Sequence, residues 1–211
     1  MLSFAISFFM SVQELKRCLS SIASHAKYIF CVDGRFIGFD YPTPLSVDGS
    51  RNVVVGYDNA ILIDAPDLTE IKKRQIYLDK TKEHDINLLI ALDSDEYVEC
   101  DDWNLFEEYC RSEYEINNKQ TTQFGVLVEN ANTIGRNQFD PRPRIFANPW
   151  DIKHTDHRTF FTKSDNRLVG TTCVIEGAGF KLRHNYNLRH ETYNELRLAY
   201  QKQLVESEKI N

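Results

Sequence analysis

Residues 88–97 read Leu88-Leu89-Ile90-Ala91-Leu92-Asp93-Ser94-Asp95-Glu96-Tyr97, five apolar side chains in a row that stop at three carboxylates. An uninterrupted apolar run of this length is the pattern of a strand covered on both faces, as in a parallel sheet. In open α/β sheets ligands bind beyond the carboxyl ends of such strands, so Asp93 to Glu96 mark a candidate site. Carboxylates held this close repel one another, and a cation relieves the repulsion. An oxygen-only donor set selects a hard divalent ion, Mg²⁺ or Mn²⁺, which keeps coordination positions open for phosphate oxygens.

Strands and helices alternate upstream of this run. Ser3 to Phe9 reads as a strand, and Leu15, Cys18, Leu19 and Ile22 share one face of a helix over Val12 to His25. Tyr28 to Val32 is a second apolar strand, ending at Asp33-Gly34. Asn52 to Val55 and Ala60 to Ile63 are strand candidates. Asp67 and Glu70 resemble a capping box for a helix to about Lys82, with Leu68, Ile71, Gln75 and Leu78 facing inward. This order implies right-handed crossovers and a mainly parallel central sheet flanked by helices, an α/β fold. After Asp102 the spacing changes. One helix (Trp103 to about Arg111) precedes short strand candidates at Phe124–Val128, Arg144–Phe146, Thr159–Thr162, Thr172–Glu176 and Gly179–His184, then a charged helix from about Thr192 to Glu208. The second half therefore reads as more antiparallel. One domain over residues 1–211 is expected, divided near residue 100.

Bulk properties narrow the class. Hydrophobic residues make up 42% of the chain and charged ones 27%, as in ordinary globular proteins. A net charge of −6 argues against nucleic acid as the main partner. The apolar start, Leu2 to Met10, is interrupted by Ser3 and Ser7 and is too short to span a bilayer, nor does it resemble a signal peptide. No transmembrane segment and a cytoplasmic location are expected, with membrane recruitment through a partner left open. The five scattered cysteines form no Cys-x-x-Cys pair and read as reduced thiols. Dinucleotide, P-loop and nucleophile-elbow glycine motifs are absent, and the histidines His154 and His157 lack the partners of a zinc site.

Two carboxylate-bearing strand ends, Asp33 and Asp93-Ser94-Asp95, converge on one side of the expected sheet. Together with Leu-x-x-Cys-Leu-x-Ser-Ile in the first helix, Val32-Asp33-Gly34, Lys73-Arg74 and Leu92-Asp93-Ser94-Asp95-Glu96-Tyr97, they make the chain resemble the GT-A glycosyltransferases, in their family-2-like branch. The resemblance is strongest over residues 3–100. It implies a metal-dependent transferase moving a sugar from a UDP- or GDP-sugar donor to a glycan, lipid or protein acceptor, with Mn²⁺ or Mg²⁺ as cofactor. Residues 1–100 would form the nucleotide-sugar half and 101–211 the acceptor half with its C-terminal helix. Carried over position by position, Asp33 meets the base, Asp93 and Ser94 the ribose or donor sugar, and Arg74 the nucleotide. Asp95 and a late histidine hold the metal; His184 fits best, with His190 as the alternative. The family's Asn-Glu turn after the first strand is replaced here by Met10-Ser11-Val12-Gln13-Glu14, which leaves the base open.

In related sequences an Arg-x-Phe-like strand and a histidine loop line the acceptor or donor-sugar pocket, here matched by Arg144 and His157. An inverting reaction needs a general base on the acceptor hydroxyl. Asp151, Asp156 and Glu176 lie in the acceptor-side half and no spacing rule selects among them; Asp156 is the candidate base beside Asp93 and Asp95 as catalytic residues. Two alternatives stand beside this reading: a sugar-phosphate nucleotidyltransferase, and a non-catalytic carbohydrate- or protein-binding module on the same fold.

Overall fold

Along the chain run β1 (Leu2–Phe8), α1 (Val12–Ile22), β2 (Ala26–Asp33), α2 (Ser50–Val55), β3 (Ala60–Asp64), α3 (Glu70–Lys80), β4 (Leu88–Asp93), β5 (Glu96–Glu99), α4 (Trp103–Ile116), β6 (Thr122–Asn130), β7 (Phe139–Ala147), β8 (Ile152–His154), β9 (Phe160–Thr162), β10 (Thr171–Val174) and β11 (Lys181–His184). The computed structural model describes residues 1–130, 139–155, 159–175 and 177–184. The expected C-terminal helix, Asp156, His157, Glu176 and His190 lie outside the described residues.

The apolar runs split between two cores according to the two-residue period of a strand. Leu88, Ile90 and Leu92 of β4 join Phe4, Ile6 and Phe8 of β1, and Leu15, Leu19 and Ile22 of α1 close over them. Leu89 and Ala91 point the other way, with Ala5, Phe30 and Val32, under Tyr77 and Leu78 of α3. Both faces of the sheet are thus covered, which is why these strands carry no polar alternation.

The sheet runs in the order β3-β2-β1-β4-β7-β6-β11-β5, with β10 also on β6. Strands β3, β2, β1 and β4 are parallel to one another. β7 pairs antiparallel with β4 and β6, and β5 antiparallel with β11. The fold is α/β and mostly parallel, with a separate antiparallel β8–β9 pair. In β7, Pro141 and Pro143 sit beyond the three residues that pair with β4, where a missing N–H costs no ladder bond on that side.

Some sequence expectations need correction. Asn52 to Val55 is not a strand but part of the short helix α2. Its β-branched run imitates a strand, yet only Val54 and Ser50 of the helix are buried, and Asp48 ties the turn before it by accepting from the Ser50 N–H and hydroxyl. α3 is capped by Thr69, whose hydroxyl accepts from the Lys72 N–H at 3.3 Å, and not by Asp67, which is turned away at φ 56° to pair with Arg35. Its buried face is Lys73, Tyr77 and Leu78. Strand β5 was not expected, because Glu96 to Glu99 has no partner near in sequence and is defined by β11.

Candidate active site

Asp33 and Asp64 end adjacent parallel strands and are direct register partners, while Asp93 ends β4 opposite Ser7 of β1. The strands thus bring three carboxylates to one edge, with Asp33 and Asp93 about 10 Å apart across β1.

At the β2 end, Asp33 is fully buried. Its Oδ1 accepts from the Ser46 hydroxyl at 2.6 Å; its Oδ2 accepts from the Ser46 N–H at 3.1 Å and from Arg51 Nη1 at 2.8 Å. The same Nη1 donates to Asp64 Oδ1 at 2.8 Å. These bonds to Asp64 and Asp33 raise the pKa of Arg51 and fix its charge. Gly34 follows Asp33 at φ 150°, and a Cβ there would lie 2.5 Å from the Ala65 carbonyl oxygen, so only glycine lets the two strand exits pass. Beneath this turn Lys73 is fully buried, donates to the Gly34 carbonyl and lies 4.1 Å from the centre of the Phe36 ring. Burial lowers its pKa to about 8.

At the β4 end the chain reverses through Ser94 and Asp95 into β5, and the Asp93 N–H donates to Glu96 Oε2 at 2.9 Å. Arg74 Nη2 reaches Asp93 Oδ1 at 3.1 Å and Glu70 at 2.6 Å. Arg144, brought from β7, donates to Asp93 Oδ2 at 2.9 Å and also to Glu96. Burial would raise the Asp93 pKa, but the charges of Arg144 and Arg74 overcome it and hold the carboxyl well below the usual range. Glu96 is more deeply buried, and there desolvation prevails over Arg144 and raises its pKa.

His184 ends β11 as the register partner of Glu96, which places its Nε2 3.1 Å from Asp95 Oδ2. Asp95 and Ser94 are both buried. Among the described residues no three His, Cys, Asp or Glu side chains converge as a metal cage. A Mg²⁺ or Mn²⁺ ion serving a diphosphate takes one or two protein carboxylates and completes its shell with phosphate and water; Asp95 supplies such a carboxylate, and His184 Nε2, 3.1 Å from it, adds a nitrogen donor outside the all-oxygen set.

The structure therefore joins Arg74, Asp93 and Arg144 in one cluster and Asp95 with His184 in a second beside it. It sets Asp33 apart and places Arg144 in the ion-pair core, with 6% of its side chain exposed. Sequence reasoning missed Arg51 and the buried role of Glu96. Besides Arg35, Arg51 is the one arginine between the two strand-end aspartates, and that was the signal available.

No family model matches the chain, and no curated sequence does. Among solved structures, residues 1–349 of S. aureus TarS in complex with UDP are similar with a TM-score of 0.49 and 14% identity, over 86% of this chain and 60% of that one. S. aureus TarS itself gives 0.46 and 16% over 70% of this chain and 28% of its own length. A cytidylyltransferase from Leptospira borgpetersenii gives 0.41 and 12%, over 70% and 60%. The chain spans between 28% and 60% of the length of these neighbours.

Proposed function

We propose that the chain is a transferase using a nucleotide-activated sugar, with the nucleoside diphosphate laid along the carboxyl edge of the sheet and a glycan, lipid or protein as acceptor. The observation that carries this reading is the Asp95–His184 pair beside the arginine-clamped Asp93, at strand ends where α/β sheets bind ligands. When bound there, Mn²⁺ or Mg²⁺ supplies Lewis-acid stabilisation to the departing diphosphate. Asp95 and His184 would hold it. Asp93, kept ionised by Arg144 and Arg74, is a fixed acceptor for sugar or ribose hydroxyls. The outer side of Arg74 adds positive charge where diphosphate charge develops; one such electrostatic donor is worth about 10²- to 10³-fold in rate.

Calorimetric titration of UDP and GDP with and without Mn²⁺ tests the reading on wild type, Asp95→Ala and His184→Ala. Metal-dependent binding in the wild type, lost in Asp95→Ala and weakened in His184→Ala, is expected. Binding that is unchanged in both variants, or absent for every nucleotide in the wild type, overturns it.

A further inference from the structure

We propose that Tyr77 determines specificity at this site, its hydroxyl hydrogen-bonding a sugar hydroxyl that is held by Asp93; the inference rests on the nucleotide-sugar reading above. Tyr77 is 3% exposed and shares the second core with Ala91 of β4 and Phe146 of β7. Side chains two residues apart on a strand share a face, so Asp93 and Arg144 continue those two rows toward the carboxyl edge. On α3, Arg74 stands three residues before Tyr77 and is its neighbour on the helix surface. The ion-pair cluster therefore borders the tyrosine on the edge side.

A buried tyrosine hydroxyl ordinarily has a hydrogen-bond partner. Among the described residues that of Tyr77 has none. Nor is it sealed from solvent, as the partnerless hydroxyl of Ser7 on β1 is. Burial raises its pKa to about 12, and the charges that act on it besides are those of Arg74, Asp93, Arg144 and Glu70, in keeping with an oxygen at the cluster. The hydroxyl keeps its proton and can both donate and accept.

The neighbouring groups are one-sided. Arg74 and Arg144 only donate, and Asp93, held ionised, only accepts. Asp93 takes one arginine bond on each oxygen and its side chain is 40% exposed, so it has lone pairs left for a ligand. A phosphate oxygen brings no proton to Asp93 and meets it charge to charge. A sugar hydroxyl donates to Asp93 and keeps two lone pairs, one of which accepts from the Tyr77 O–H. A sugar that sets no hydroxyl there leaves Asp93 and Tyr77 unsatisfied together, and that is how the pair discriminates. Both the donor sugar and the ribose carry such hydroxyls.

The test is calorimetric titration, with Mn²⁺, of UDP, GDP, UDP-glucose, UDP-N-acetylglucosamine and GDP-mannose against wild type and Tyr77→Phe, with thermal melting of both proteins. Tyr77→Phe gives up no hydrogen bond within the protein and should melt at or above the wild-type temperature. The ligand that binds the wild type tightest should lose about 3- to 10-fold in affinity, the worth of one neutral hydrogen bond. A loss confined to the sugar conjugates assigns the bonded hydroxyl to the donor sugar; an equal loss for the bare nucleotide assigns it to the ribose. Unchanged binding of every ligand by Tyr77→Phe would overturn the inference while leaving the nucleotide reading in place. A variant that melts well below the wild type would do the same, because the hydroxyl then serves the core. Absence of binding by every ligand in the wild type would overturn both.

Discussion

The two acidic strand ends solve the same electrostatic problem in opposite ways. At β2–β3 one guanidinium serves two carboxylates, Asp33 and Asp64; at β4 two guanidiniums, Arg74 and Arg144, converge on one carboxylate, Asp93. The first leaves its arginine partly exposed, and the second sinks Arg144 against Glu96 until 6% and 1% of their side chains remain accessible. The carboxylates reverse that order, Asp33 being fully buried and Asp93 40% exposed, so water reaches the guanidinium at β2–β3 and the carboxylate at β4.

Removing each arginine measures that difference most directly. Arg144→Leu strands a buried Glu96 and should cost about 3–5 kcal/mol in urea unfolding. Arg51→Met takes the guanidinium from a fully buried Asp33 but leaves both of its Ser46 bonds, and should cost about 3 kcal/mol, the low end for an unpaired buried charge. Adding Glu96→Gln to Arg144→Leu should restore part of the loss, since the uncompensated charge is then gone. Equal costs for the two single variants would erase the contrast.

Alkaline pH separates the two ends by sign. Lys73, under the β2 exit, has its pKa lowered by burial from 10.5 to about 8. Between those values the unfolded chain carries the proton and the folded chain does not, so the Lys73 contribution to stability rises with pH across this window, by up to about 3 kcal/mol. Below pH 8 both states are protonated and the cost of burying the ammonium is fully present. The groups at the β4 end act in acid: the Asp93 contribution is lost as pH falls through its depressed pKa, while Glu96, raised, relieves a cost on protonation. Urea unfolding from pH 7 to 10.5 should show the wild type gaining stability relative to Lys73→Met as pH rises through 8, on a background that falls in both above pH 9 because burial holds the cysteine thiols protonated; a constant difference between the two would remove Lys73 as its source.

The β4 end was more legible in the sequence than the β2 end, for a physical reason. Leu88 to Leu92 carries its own burial signal, and Asp93 to Glu96 follow it without a gap, so strand, edge and carboxylates are read together. The strand ending at His184 was legible too, but the histidine itself was singled out only by the family resemblance. Arg51 lies in a six-residue helix too short to show a period, amid valines that imitate a strand. Glu96 belongs to a strand whose partner lies more than 80 residues away, and no local pattern encodes such pairing. Arg144 stands out through the Arg-x-Phe-like strand of related sequences, as a pocket residue, but its burial depends on β7 docking beside β4, which sequence spacing does not disclose.

The smallest expected change in stability is at Asp95, and it separates folding from ligand binding. Asp95 is buried beside Asp93 and Glu96 and lies 3.1 Å from His184 Nε2, so its charge is opposed by its carboxylate neighbours while its shape is held by the turn. Asp95→Asn keeps a hydrogen-bonding oxygen toward His184 and removes one of the crowded charges. The favourable and unfavourable changes nearly offset, and unfolding should shift by less than about 1 kcal/mol without metal. Melting curves in Mn²⁺ and nucleoside diphosphate should differ far more, because the amide is a weak ligand for a hard cation and the ligand-induced rise in melting temperature is lost. If Asp95→Asn unfolds as readily as Arg144→Leu, Asp95 belongs to the ion-pair core. A small stability change with the ligand-induced rise abolished instead makes the turn after β4 a binding element carried on a core that Arg144 and Glu96 hold without it.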